Sequence, residues 1–172
     1  MVGTVDVSGS KHSALHILGA ALLADGDVVI DNFPVIDDAL NFLRIYESMG
    51  VAGRVTGRTA VLSVIPEKIR FDQSRLNLVE RLRSSVLLLG SLLLRNHYVR
   101  MPIPGGDKID PNGQRSIDEF LKVLDMFGIG HNLRHDRLEA RLDRDLVGDK
   151  TLIWAGKTSS DFEPATAGRH SP

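Results

Sequence analysis

Cysteine is absent from the 172-residue sequence, which excludes disulfides, thiolate metal sites and a cysteine nucleophile at once. An excess of charge of one sign is lacking too. The 21 basic residues stand against 22 acidic ones, for a formal net charge of -1. Bulk electrostatics therefore point to neither a nucleic-acid nor a membrane-surface partner, and any anion site has to be local. No long hydrophobic run occurs either. The longest, VLLLGSLLL from Val86 to Leu94, falls far short of the roughly 20 residues that cross a bilayer, and the N-terminus lacks the basic, apolar and small-residue succession of a signal peptide. The expectation is a soluble, cytoplasmic protein.

Several motifs are missing as well. No P-loop, dinucleotide fingerprint or Gly-x-Ser-x-Gly elbow occurs, which removes the common nucleotide and esterase readings. Histidines stand at 12, 16, 97, 131, 135 and 170 without zinc-ligand spacing on one element. His131 and His135 are four apart, but HNLRHDRLEARL alternates as a hairpin does, so no metal site is read there and no cofactor is expected. Met126, Phe127 and the lone Trp154 read as packing residues.

What is present is 42% hydrophobic and 25% charged sequence, suited to one domain or a pair of tightly packed small units, and it repeats. SALHILGAALL (Ser13 to Leu23) lies over SSVLLLGSLLL (Ser84 to Leu94), matching Leu18 with Leu89 and Gly19 with Gly90. NFLRIYESMGV (Asn41 to Val51) lies over EFLKVLDMFGI (Glu119 to Ile129), matching Phe42 with Phe120 and Gly50 with Gly128. The offset grows from 71 to 78 residues between the two pairs, and the seven extra residues fall within PIPGGDKIDPNGQ, Pro102 to Gln114. The segments DVVIDNF and HYVRMPI read as strands, and AGRVTGRTAVLSV and HNLRHDRLEARLD as hairpins. Gly50 and Gly128 read as helix C-caps. The expected fold is α/β (α+β), built from βαβαββ units over residues 1–67 and 68–146, with the start of an incomplete third unit and a disordered tail over 147–172.

Lys11 and His12 open the first helix, where the dipole is positive. A cation there costs roughly 0.3 to 1 kcal/mol unless an anion intervenes, and phosphate or carboxylate would relieve that cost. His12 aligns with Arg83, so each unit's first helix begins with a potentially basic residue before a serine. The alternative is a solvated helix edge. In the inserted loop, Gly105 and Gly106 would present Asp107, either as a general acid on a lid or as an ordinary acidic turn. Arg115 stands at the entrance to the second helix of its unit, an anion-binding end, or is a surface arginine.

Together these segments resemble the enolpyruvyl transferases, closest to the UDP-N-acetylglucosamine 1-carboxyvinyltransferases. SGSKHSALHIL resembles their Ser-Gly-Ala-Lys-Asn-Ala-Ala-Leu stretch, LRSSVLLLG their Met-Arg-Ala-Ser helix, PGGD their Pro-Gly-Gly-Cys loop, and GQRSID their Gly-x-Arg-Pro-Val-Asp segment. Four motifs in the right order are more specific than any one. The shikimate-pathway relatives share the lysine and the repeat but lack the Pro-Gly-Gly loop. The resemblance implies one domain of an inside-out α/β barrel. The implied activity transfers enolpyruvyl from phosphoenolpyruvate to the 3-hydroxyl of UDP-N-acetylglucosamine, a step of peptidoglycan precursor synthesis.

By the same resemblance, Lys11 would contact phosphoenolpyruvate, Arg83 and Arg115 would bind phosphate, and Asp107 would stand where the family has its loop cysteine. His12, Ser116, Ile117, Asp118, Glu119, Lys157 and Ser159 fall on substrate-contacting positions. His12 in place of asparagine and Ser116 in place of proline suggest a paralogue with another nucleotide acceptor. Family members are more than twice this length, so a second chain or a second copy is expected to complete the site. A noncatalytic nucleotide-sugar binding module, or a repeat domain held only by packing, is the alternative. With aspartate in place of the loop cysteine, fosfomycin, which alkylates that cysteine in the family, leaves this chain unmodified; a covalent adduct in the mass spectrum would contradict this.

Overall fold

The computed structural model describes residues 2–70, 77–105, 117–134 and 137–143. Asp107, Arg115, Ser116, Trp154, Lys157, Ser159 and the expected third unit lie outside them. The first helix, α1, spans Lys11–Ala21 and is capped by Ser10, whose Oγ accepts from the Ser13 amide at 3.4 Å. This satisfies one of the orphan amides of the first turn. Then follow β1 (Gly26–Ile30), α2 (Asp37–Ser48), β2 (Ala52–Thr56) and β3 (Thr59–Val64). A 3₁₀ turn at Pro66–Lys68 and the short α3 (Asn77–Arg81) lead to a second helical segment. That segment was expected as one α-helix. It opens instead as a 3₁₀ stretch, Arg83–Leu87, before α4, Leu88–Asn96. Ser85 explains the tighter opening, because its Oγ donates to the Val79 and Leu82 carbonyls and holds the chain entry in place. β4 (Tyr98–Pro102), α5 (Asp118–Met126), β5 (Gly130–Arg134) and β6 (Arg137–Arg141) complete the order.

Among the described residues two three-stranded antiparallel sheets form, ordered β1-β3-β2 and β4-β6-β5. Each hairpin's second strand is central and pairs with the strand between the unit's two helices. The registers match. Asp27 pairs with Ser63 and Tyr98 with Arg141, positions 71 and 78 residues apart, which are the two offsets read from the sequence. Gly50 and Gly128 follow α2 and α5 at φ of 88° and 68°, where a side chain would be strained.

One expected element is missing. The strand ahead of α1 does not form, and residues 2–10 carry neither helix nor strand, with Val2, Val5 and Val7 exposed. Among the described residues no sheet edge pairs with this segment, and a lone strand gains no ladder hydrogen bonds. At the 71-residue offset, residues 2–10 correspond to 73–81, of which the described 77–81 form the helix α3 rather than a strand.

Both sheets and the helices bury one continuous core. It contains Leu15, Leu18 and Leu22 of α1 and its end, Phe42, Ile45 and Tyr46 of α2, Leu88, Leu89, Leu92 and Leu93 of α4, and the inward residues Leu62, Val99, Met101 and Leu138. Alternation in β3, with Ala60, Leu62 and Val64 buried, is the period of a strand covered on one face. The two halves are joined at α1. Ser91 Oγ donates to the Gly19 carbonyl at 2.8 Å, and the Arg95 guanidinium donates to the carbonyls of Leu22 and Ala24. No helix among the described residues is long and apolar enough to cross a membrane.

A matched pair of substitutions tests this packing. A Cβ on Gly19 would lie 2.9 Å from Leu87 Cβ, whereas one on its repeat partner Gly90 would meet nothing within 4 Å. Gly19→Ala is expected to destabilise the chain by about 1–3 kcal/mol through overpacking. Gly90→Ala, exposed in a helix, is expected to stabilise it by about 0.5–1 kcal/mol. Urea unfolding midpoints give both signs.

Candidate functional site

Where α1 meets the helical segment that begins at Arg83, the packing leaves a cavity of about 380 Å³. α1 contributes Lys11, His12, Leu15 and His16 to its wall. From the second half come Arg81, Leu82, Arg83, Ser84, Val86 and Leu87, while Asp38 and Phe120 close the sides. Eight of these positions are repeat partners in four pairs, Lys11 with Leu82, His12 with Arg83, Leu15 with Val86 and His16 with Leu87, each 71 residues apart. The cavity therefore lies on the seam between equivalent helix starts.

Its charge is lopsided. Two arginines, a lysine and two histidines line it, against Asp38 as the single carboxylate among the described lining residues. Asp38 sits in the first turn of α2 and meets Lys11, with Nζ 2.6 Å from Oδ2. This pair answers part of the puzzle of a lysine at a helix N-terminus: the offsetting anion is supplied by the next helix. Both side chains remain well exposed, at 49% and 39%, so the pair is worth at most about 1 kcal/mol, and Lys11 can still turn toward a ligand. His16 is tied differently. Its Nδ1 lies 2.7 Å from the His12 carbonyl oxygen, and because a carbonyl only accepts, the proton is on Nδ1 and Nε2 is the nitrogen left for other partners.

Three of the residues expected from the sequence, Lys11, His12 and Arg83, are thus brought together. Ile117, Asp118 and Glu119 are not among the cavity-lining residues. The side chain of Ile117 is buried in the core, and Asp118 and Glu119 form the first turn of α5, just before the cavity-lining Phe120. The Cα of Gly105 passes so close to the Glu80 carbonyl that a Cβ would overlap it. The next residue of α3, Arg81, lines the cavity, while Asp107 lies outside the described residues. His16, Asp38, Arg81 and Ser84 were missed in the sequence. The spacing of His16, four residues after His12, puts both on one helix face and would have found it; the others depend on tertiary packing. No three His, Cys, Asp or Glu side chains converge as metal ligands among the described residues.

The EPSP synthase (3-phosphoshikimate 1-carboxyvinyltransferase) family profile matches residues 1–163, and the chain belongs to this family of enolpyruvyl transferases. The UDP-N-acetylglucosamine 1-carboxyvinyltransferase of Anaeromyxobacter dehalogenans is 37% identical over 163 residues, 94% of this chain and 38% of that protein. The enzyme of the same name from Bradyrhizobium diazoefficiens is 37% identical over 159 residues, 92% of this chain and 36% of that protein. The chain thus spans little more than a third of these relatives. Among solved structures, the enolpyruvyl transferase NikO from Streptomyces tendae superposes with a TM-score of 0.66 at 26% identity, over 83% of this chain and 30% of its own. EPSP synthase from Acinetobacter baumannii shares the fold at a TM-score of 0.61 and 19% identity, over 81% of this chain and 32% of its own.

The cavity's charge balance makes a prediction. Asp38→Asn removes the carboxylate that competes with an incoming anion, so inorganic phosphate is expected to bind a few-fold more tightly, with a stability change below about 1 kcal/mol. Calorimetric titration with phosphate measures the first and thermal unfolding the second. Weaker binding would mean that Asp38 serves mainly to hold Lys11 in place.

Proposed function

We propose that this chain forms part of an enzyme that transfers the enolpyruvyl group of phosphoenolpyruvate to the 3-hydroxyl of UDP-N-acetylglucosamine, releasing inorganic phosphate. The observation that carries the proposal is the cationic cavity on the repeat seam, holding Lys11, His12 and Arg83 together, in a chain whose relatives carry that activity in their names. In this reading Lys11 meets the carboxylate of phosphoenolpyruvate, and Arg83 and Arg115 draw charge from its phosphate. The vinyl carbon takes a proton, for which Asp107 is the proposed donor, and the sugar hydroxyl bonds to the adjacent carbon while losing its own proton. The tetrahedral adduct then loses a methyl proton and its phosphate, restoring the double bond. Positioning and charge neutralisation supply most of the rate.

Arg115 also opens the segment of proposed nucleotide contacts, with Ser116, Ile117, Asp118 and Glu119, joined by Lys157 and Ser159, and a second chain or a second copy is the proposed supplier of whatever the cavity still needs for turnover. His12, which stands in place of the family's asparagine, favours a second reading in which the acceptor is a different nucleotide.

Calorimetric titration of the purified chain with UDP-N-acetylglucosamine, alone and with phosphoenolpyruvate, tests the proposal. Binding is expected, strengthened by phosphoenolpyruvate and reduced at least tenfold in Arg115→Ala, the size of a lost charged hydrogen bond. Binding of phosphoenolpyruvate but not of the nucleotide sugar would favour the second reading, and no binding of either would overturn both.

A further inference from the structure

Four serines lie near the junction of the two halves, and they differ in how their hydroxyls are met. Ser85 Oγ donates to two carbonyls, those of Val79 at 2.9 Å and Leu82 at 2.6 Å. Ser91 Oγ reaches the Gly19 carbonyl at 2.8 Å. Ser13, the repeat partner of Ser84, is exposed to water. Ser84 is the exception: its Oγ is buried and has no hydrogen-bond partner among the described residues, and the residue lines the cavity between Arg83 and Val86. A buried hydroxyl without a partner is destabilising, and polar groups left so in an otherwise well-satisfied structure call for a reason. Packing alone does not supply one, since alanine would fill the same space without a polar atom.

The neighbours decide what the hydroxyl is for. Lys11, His12, Arg81 and Arg83 line the same cavity, so the ligand atom that settles there carries negative charge. A hydroxyl is both donor and acceptor, and beside an anionic oxygen it donates. Rotation about Cα–Cβ to another of its staggered positions turns the hydroxyl, and the side chain has little bulk to hinder it. The sequence adds a second point, since LRSS departs from the resembling Met-Arg-Ala-Ser motif at this very residue: the hydroxyl is extra to the motif.

We propose that Ser84 is a ligand-contacting residue of this chain, its hydroxyl donating a hydrogen bond to an anionic oxygen of phosphoenolpyruvate held between Lys11 and Arg83. This rests on the enolpyruvyl transferase reading for the identity of the ligand, but not for the presence of an anion. No bond is made or broken by Ser84, whose part is to bind and orient.

The test compares wild type, Ser84→Ala and the control Ser13→Ala in calorimetric titrations with phosphoenolpyruvate and with inorganic phosphate, alongside thermal unfolding of the free proteins. Ser84→Ala is expected to weaken phosphoenolpyruvate binding about tenfold without lowering the thermal midpoint of the free protein, while Ser13→Ala changes neither. An equal effect on inorganic phosphate assigns the contact to the phosphoryl end, and an effect on phosphoenolpyruvate alone assigns it to the carboxylate; either supports the proposal. Unchanged binding in Ser84→Ala, with or without a fall in thermal midpoint, overturns it and leaves the enolpyruvyl reading standing. Ser84-dependent binding of phosphate by a wild-type chain that ignores phosphoenolpyruvate keeps the anion contact and removes the enolpyruvyl reading. If the wild type binds neither, both fall.

Discussion

At Gly19 the backbone of α1 lies so close to Leu87 that there is no room for even one methyl group, and the rest of the molecule is arranged around that approach. It lets Ser91 reach the Gly19 carbonyl and Arg95 reach the carbonyls at the end of α1. The Ser91 bond is buried and those of Arg95 partly so, and the two sheets share one core rather than forming two small ones. A unit of this size would expose a helix face by itself, and small cores are marginal. The close crossing removes that exposure for one face of each half.

The same crossing makes the cavity. Two helix starts that are equivalent in the repeat are brought side by side, so the residues ahead of each serine converge from opposite walls. The halves are not identical: histidine stands on one side and arginine on the other, and a serine is exposed in one half while its counterpart is half-buried, its hydroxyl without a partner among the described residues. An anion placed between them meets donors from both halves at once, which neither unit could offer alone. Lys11 is kept at the rim by Asp38, a contact weak enough to give way to a ligand with more charge.

The local parts of this arrangement were legible in the sequence. Strand alternation in TAVLSV, the buried leucines of LLGSLLL, and the glycines that end α2 and α5 are set by neighbours within a few residues, and the fold class followed from them. The strand ahead of α1 was not, because alternation in VDV shows a capacity to pair and says nothing of whether an edge is available. The 3₁₀ opening at Arg83 was hidden for a related reason, since it depends on where Ser85 finds carbonyls. Lys11, His12 and Arg83, singled out by the repeat and the resemblance, line one cavity. Asp38 and Arg81 come from other elements, so only the folded chain reveals them, and Ser84, though its departure from the motif is written in the sequence, shows its unpartnered hydroxyl only in the fold.

Tyr46 carries a consequence of a different kind. Its hydroxyl is buried against the Leu18 carbonyl, and burial raises its pKa well above the ordinary 10.0, partly offset by a backbone hydrogen bond at Leu22. The folded chain therefore keeps this proton when an unfolded chain would release it. The stability it contributes is present in full below the ordinary tyrosine range and declines as pH rises above it. Only two tyrosines are present, and the other, Tyr98, is 42% exposed on an edge strand. Tyr46 thus gives up its proton as the core opens, and the ultraviolet band of its phenolate reports that event. The molecule carries its own optical gauge of whether the helix junction is closed, with no label required.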